Sequence, residues 1–181
     1  MELYQGKPDD LDSRQERERR VYTLLDQLAI PYVRCDHAPA MTMEDCIAID
    51  EVLGVAMCKN LFLCNRQKTA FYLLMMPGDK PFRTKELSAQ IGSARLSFAD
   101  ESAMVELLDI HPGAVSVMGL MNDADRVVQL LIDEELLGCD FVGCHPCVNT
   151  ASLRLSTNDL LNRFLPQVKH TFRAVRLTGE E

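Results

Sequence analysis

The chain has 181 residues, 47% of them hydrophobic, and a formal net charge of −8. That size and apolar share suit one compact domain with a full core, and no apolar run approaches the ~20 residues of a membrane span. The acidic balance argues against a general nucleic-acid binder, whose affinity comes mainly from neutralising phosphates; an RNA contact would need a local basic patch. The opening "MELYQGKPDDLDSRQERERR" lacks the basic-then-apolar order of a secretory signal, so a cytoplasmic location is expected. The seven cysteines are odd in number and scattered, which reads as reduced core residues rather than a disulfide framework.

Residues 1–12 read as a polar, lightly packed arm. Ser13 and Glu16 have capping-box spacing ahead of Val21, Leu24, Leu25 and Leu28, the apolar face of an amphipathic helix. "PYVRC" predicts a short strand, and Thr42 caps a second helix that runs to Leu53 and ends at Gly54. "KNLFLCN" and "TAFYLLMM" predict a hairpin turning at "RQK". After the loop "PGDKPFRT", Thr84 caps "KELSAQI". "RLSF" predicts a strand, "DESAMVELLD" a short helix, and "HPGAVSVMGL" a turn leading into a strand. "RVVQLLID", "CDFVGC" and "TASLRLS" predict further strands. Thr157 caps "NDLLNRFL", Pro166 stops it, and "HTFRAVRL" closes the sheet. Strands in neighbouring pairs, mixed with helices, predict an α/β (mixed α+β) single domain: a mixed, largely antiparallel sheet surrounded by helices. The domain would span residues 13–176, with 177–181 as a tail. No GxGxxG or Walker loop is present.

The chemistry-bearing stretch is "GCHPCVNTASLRLS", Gly143 to Ser156. Cys144 and Cys147 form a CxxC pair, which a redox protein would place at a helix N-terminus to lower a thiol pKa. The residues after Cys147, "VNTASLRLS", read as extended chain, which disfavours redox chemistry. A structural zinc site normally draws on two separated ligand pairs, whereas Cys139, Cys144, His145 and Cys147 crowd into one segment. Half-buried strand-end cysteines are the plainer reading. His145, set between Gly143 and Pro146, suits a structural and a site role equally.

Three separated motifs, "CKNLFL", "HPGAVSVMGLMND" and "GCHPCVNTASLRLSTNDLLNRFL", resemble the YbaK/ProX family of aminoacyl-tRNA deacylases. These are free-standing relatives of the prolyl-tRNA synthetase editing domain, and the likeness is greatest to the ProX/PrdX branch. The resemblance runs from the first long helix to "RFLP". It implies hydrolysis of the ester joining a wrong amino acid, typically alanine, to proline tRNA. An aminoacyl ester is already activated, so a held water and donors for the developing oxyanion suffice; neither GxSxG nor a convincing triad is found.

By resemblance, Lys59 is the family lysine, acting with Gly143 and His145 at the ester, and Asn60 is a hydrogen-bonder to ribose or ester. Gly113 and Ser116 match a pocket wall, and Asn149 and Thr150 brace it, while His37 is read as structural. Lys80, Arg83 and Lys85, in "DKPFRTK", form the local basic loop offered to tRNA. The implied partners are aminoacylated proline tRNA and prolyl-tRNA synthetase, with no membrane, cofactor or metal. Two departures bear on specificity: Val117-Met118 stand where many relatives have Pro-Phe, and Cys144 and Cys147 flank the "HP". Alternatives left open are a deacylase of cysteinyl- or seryl-tRNA, and a non-catalytic tRNA-binding or zinc-stabilised regulatory domain.

Overall fold

The computed structural model describes residues 1–180. Its elements are β1 (Leu3–Gln5), α1 (Glu16–Gln27), β2 (Tyr32–Asp36), α2 (Met43–Leu53), β3 (Lys59–Cys64), β4 (Phe71–Met76), α3 (Thr84–Ile91), β5 (Ser97–Phe98), α4 (Glu101–Leu108), β6 (Val128–Asp133), α5 (Glu134–Leu137), β7 (Phe141–Cys144), β8 (Ala151–Ser156) and β9 (Phe172–Val175). The expected mixed α/β arrangement is divided over two sheets. One is antiparallel, in the order β1-β2-β8-β7. The other, β5-β3-β4-β6-β9, pairs β3 antiparallel with β4 and β5 but runs β4, β6 and β9 parallel.

Alternation along β3, β4 and β6 explains why the second sheet is covered on both faces. Phe62, Leu73, Met75, Leu130 and Ile132 point into the main core, with Val21, Tyr22 and Leu25 of α1 and Leu153 and Leu155 of β8. Leu63, Leu74, Met76 and Leu131 point the other way, under Leu87 of α3 and beside Val175 and Leu177. A third cluster, Val33, Cys35 and Leu53, seats α2 on the first sheet. The C-terminal tail is therefore anchored as far as it is described: Leu177 is buried and Thr178 hydrogen-bonds Glu86 through both its amide and its hydroxyl.

Several local expectations need correction. Ser13 does not cap α1; its hydroxyl donates to Asp10 O inside a 3-10 turn, and the helix opens at Gln15 without a side-chain cap. Arg83, not Thr84, is the N-cap of α3. Ser156 caps the last helical stretch, accepting from Asp159 N, while Thr157 Oγ1 is buried without a partner among the described residues. That stretch continues past Pro166 to Gln167, because a π turn at Leu160–Phe164 precedes the ring. "VMGLMN" is a 3-10 helix, Val117–Asn122, rather than a strand: Ser116 Oγ accepts from Met118 N and starts the turn. Residues 1–12 contribute an edge strand, with Tyr4 opposite Arg34.

Thr42 caps α2 as expected, and Asp45 completes a capping box there. α2 ends at Gly54, whose φ of +75° glycine adopts freely; a Cβ there would meet Arg154 Nη1 at 2.6 Å. Arg154 Nη1 instead donates to Leu53 O at 2.9 Å and satisfies the helix end. The chain then crosses from one sheet to the other through residues 55–58.

Candidate active site

That crossing is the floor of a cavity of about 1090 Å³. A single β-bridge, Met57 to Gly143, ties the two sheets there, and Cys58 N donates to Gly143 O at 3.0 Å. Gly143 is needed for this approach, since a Cβ would sit 3.1 Å from both Met57 Sδ and Val55 Cγ1. Gly78 is needed on the other side, where a Cβ would lie 2.6 Å from Met57 O. The Asp50 carboxylate, from α2, accepts Met57 N at 3.2 Å. Residue 57 is thus held by its amide and closely approached by Gly78 and Gly143, and Lys59 comes two residues later.

Lys59 and His145 line this same cavity. The Lys59 ammonium is half-buried and donates to Lys80 O at 2.6 Å. His145 Nδ1 is 2.8 Å from Ala151 O, a contact that requires the proton on Nδ1 and leaves the Nε2 lone pair open. Burial holds the His145 pKa below the usual 6.5, opposed by the Ala151 carbonyl and assisted by His37. The ring is therefore neutral at pH 7. Gly113 and Asn149 face each other on the wall, with Gly113 at φ +92° and its missing Cβ 3.8 Å from Asn149 Nδ2.

Other residues expected at the site lie elsewhere. Gly143 sits behind the floor, not on the cavity wall. Ser116 is fully buried as a helix cap beside the Cys144 thiol. Asn60 donates to Cys58 O at 3.2 Å, and its Oδ1 is a buried acceptor without a partner among the described residues. Thr150 braces the wall with its carbonyl, which accepts His37 N at 3.0 Å. In the basic loop, Lys80 is occupied by Asp133 at 2.7 Å, Glu135 at 2.8 Å and Leu177 O at 2.8 Å. Arg83 is exposed and donates to Gly179 O at 3.4 Å, and Lys85 is exposed on α3.

The cysteines are all free, and Cys144 and Cys147 are buried. Burial raises the Cys144 thiol far above its usual range and Cys147 to about 12. Among the described residues no group of three or more His, Cys, Asp or Glu is placed to hold a metal ion. The CxxC is thus core packing at a strand end.

Two residues of the wall escape sequence reasoning. One is Asp50; the other is His37, whose expected role was structural. The His37 ring centroid is 6.4 Å from that of His145. Its Nδ1 contacts Ala38 O and its Nε2 contacts Ser152 Oγ, both at 2.8 Å, so the Ser152 hydroxyl is the donor to Nε2. That spacing is what a nucleophile and base would show, but Ser152 is completely buried. The available signal for Asp50 is its position: Met43, Cys46, Ile47 and Asp50 share one helical face at i, i+3, i+4 and i+7, so a carboxylate interrupts an apolar stripe.

A fixed ammonium, a neutral imidazole with a free lone pair and an open, largely apolar chamber are the equipment for holding and hydrolysing an activated ester. Residues 37–162 match the family model of the aminoacyl-tRNA editing domain, and the chain belongs to that family. It is 34% identical to the prolyl-tRNA editing protein ProX of Acetoanaerobium sticklandii, over 93% of this chain and 99% of the relative. It is 32% identical to prolyl-tRNA synthetase associated domain-containing protein 1 of Danio rerio, over 89% and 85% of the two chains. In fold it is similar to a crystal structure described as a proposed trans-editing enzyme for prolyl-tRNA synthetase, at TM-score 0.67 and 17% identity, covering 92% and 100%.

Proposed function

We propose that the protein is a trans-acting deacylase that removes alanine from mischarged proline tRNA. Hydrolysis of an aminoacyl-tRNA ester comes with the family; the amino acid and the tRNA are the proposal, supported by the names of the relatives from Acetoanaerobium sticklandii and Danio rerio. The observation that carries it is the shared cavity of Lys59 and His145. Water is the nucleophile. Lys59 offers positive charge to the terminal phosphate or to the developing oxyanion, and His145 Nε2 accepts a proton from water or ribose.

The cavity lies just above the ~300–1,000 Å³ range of small-molecule sites. It is larger than an alanyl group requires and suits the terminal nucleoside together with the acyl group. Discrimination against proline therefore falls to the part of the wall that meets the side chain. A synthetase pocket cut for proline cannot strongly reject a smaller residue, since a missing methylene is worth only ~1–3 kcal/mol, and a second hydrolytic site supplies the difference. The expected setting is the cytoplasm, with substrate released by prolyl-tRNA synthetase. Arg83 and Lys85 are the exposed cations that the basic loop offers to tRNA, which implies weak, salt-sensitive binding.

The test is release of free alanine from alanyl-tRNA of the proline type, compared with prolyl-, seryl- and cysteinyl-tRNA. Alanine should be released fastest, and Lys59→Ala should lower the rate at least about a hundredfold with unchanged circular dichroism. The wall also carries Cys46, Cys58 and Met57, adaptable side chains that fit a thiol or hydroxyl. An advantage of about tenfold for cysteine or serine would transfer the assignment to those substrates.

A further inference from the structure

One partly buried carboxylate on the cavity wall has no counter-charge among the described residues. Asp50 spends Oδ1 on the Met57 amide, and no Lys or Arg among the described residues pairs with it. Glu135, also on the wall, is taken by Lys80 at 2.8 Å, and Asp79 and Asp140 are exposed. Asp50 is instead only part-exposed, on an α2 face whose other members are Met43, Cys46 and Ile47. Desolvating a carboxylate in such surroundings is unfavourable unless a cation or donors compensate.

We propose that Asp50 is the receptor for the α-ammonium of the aminoacyl ester, making it a substrate-positioning and specificity residue. This rests on the deacylase reading above. The geometry favours it because the carboxylate is attached to the chain segment that delivers Lys59: Asp50 holds Met57 N, and Lys59 begins β3 two residues on. An aminoacyl ester carries an ammonium at one end of the acyl group and, at the other, a carbonyl oxygen that becomes anionic in the transition state. The cavity wall carries both, a carboxylate for the first and an ammonium for the second. Burial lifts the Asp50 carboxyl above its ordinary range, against the pull of the Met57 amide. An arriving cation would oppose that shift. The arrangement also supplies a reason for the enzyme to ignore acyl groups lacking a free amine, which the apolar wall alone would not reject.

The test pairs one variant with two substrates of equal size. Asp50→Asn keeps an oxygen for the Met57 amide but removes the charge. The substrates are alanyl-tRNA and its deaminated counterpart, 2-hydroxypropionyl-tRNA, in which a neutral hydroxyl replaces the ammonium. The wild-type protein should favour the alanyl ester in kcat/KM, and Asp50→Asn should raise KM for it about 10- to 100-fold while leaving the hydroxy ester unchanged. An equal loss on both esters, or no loss on either, overturns the proposal, the first by making Asp50 structural and the second by making it idle. If the wild-type protein cleaves neither ester, it is the deacylase reading that fails.

Discussion

The Lys59 ammonium donates to the main-chain carbonyl of Lys80 at 2.6 Å, while the Lys80 ammonium is itself held by Asp133 and Glu135. One lysine thus positions another through its backbone, and the charge that looked available for tRNA is spent inside the protein. Lys80→Met should therefore lower kcat for alanyl release about tenfold, by freeing the loop that carries the carbonyl. The slope of log KM against log salt should not change, since no phosphate contact is removed. Steady-state kinetics at several salt concentrations make the comparison. A lower kcat with an unchanged slope supports positioning, whereas a shallower slope would return Lys80 to the tRNA interface.

Gly143→Ala introduces a methyl 3.1 Å from Met57 Sδ and Val55 Cγ1 and 3.3 Å from Ala56 O. Overpacking of this kind costs about 1–3 kcal/mol, and the yielding segment is the one leading to Lys59. Urea denaturation should show that loss in stability, accompanied by a lower kcat. Wild-type stability with lost activity would instead place Gly143 at the ester itself.

His145 is held below its usual pKa of 6.5, mainly by burial. If its neutral form is required, deacylation should be flat around pH 7 and fall only in acid. Stability has the same sign. Below pH 6.5 the unfolded chain takes up a proton that the folded chain refuses, so this contribution is present above 6.5 and declines as pH falls toward the folded value, at up to about 1.4 kcal/mol per pH unit for one proton. His145→Asn should remove that part of the acid slope in denaturation curves taken from about pH 7 to 5. An unaltered slope would mean that the imidazole titrates freely.

Ser152 and His37 border the cavity with the spacing of a nucleophile and its base, but the serine is buried. Ser152→Ala should keep alanine release within about threefold of wild type while lowering stability by about 1 kcal/mol, the worth of one hydrogen bond. A drop in rate of about a thousandfold with an intact fold would turn water into the second nucleophile rather than the first.

Thiol labelling separates the cysteines. Cys46 and Cys139 are exposed and should react within minutes with iodoacetamide at about pH 8. Cys58 is half-buried with its pKa raised to about 11, and should lag. Cys144 and Cys147 should be modified only on unfolding, as followed by peptide mass spectrometry. Rapid labelling or a disulfide between those two would restore the redox reading of the CxxC.

Where a side chain's neighbours are close in sequence, the fold is legible. The period of "VYTLLDQL", the Thr42 cap and the β3–β4 hairpin all form. Errors arise where two residues compete for one cap, as Ser156 does with Thr157, or where a serine starts a tight turn inside an apolar run, as Ser116 does. The same divide runs through the site. Lys59, His145, Gly113 and Asn149 come together on one wall, and motif resemblance locates them. Asp50 is invisible to that route, because its meaning depends on a bond to Met57 made after α2 has turned at Gly54. Lys80 is misleading for a related reason, since its partners Asp133 and Glu135 are distant in the chain and reach it only through the tertiary fold.

The crossing segment fixes its shape through peptide groups, Met57 N on Asp50 and Cys58 N on Gly143 O, while Met43 and Ile47 on the neighbouring helix are exposed to the chamber. The crossing is thus held through backbone groups, and exchanging Met43 or Ile47 would leave those hydrogen bonds in place. A lineage could retune which residue is weeded out by exchanging side chains along one helix turn, leaving the hydrolytic apparatus in register.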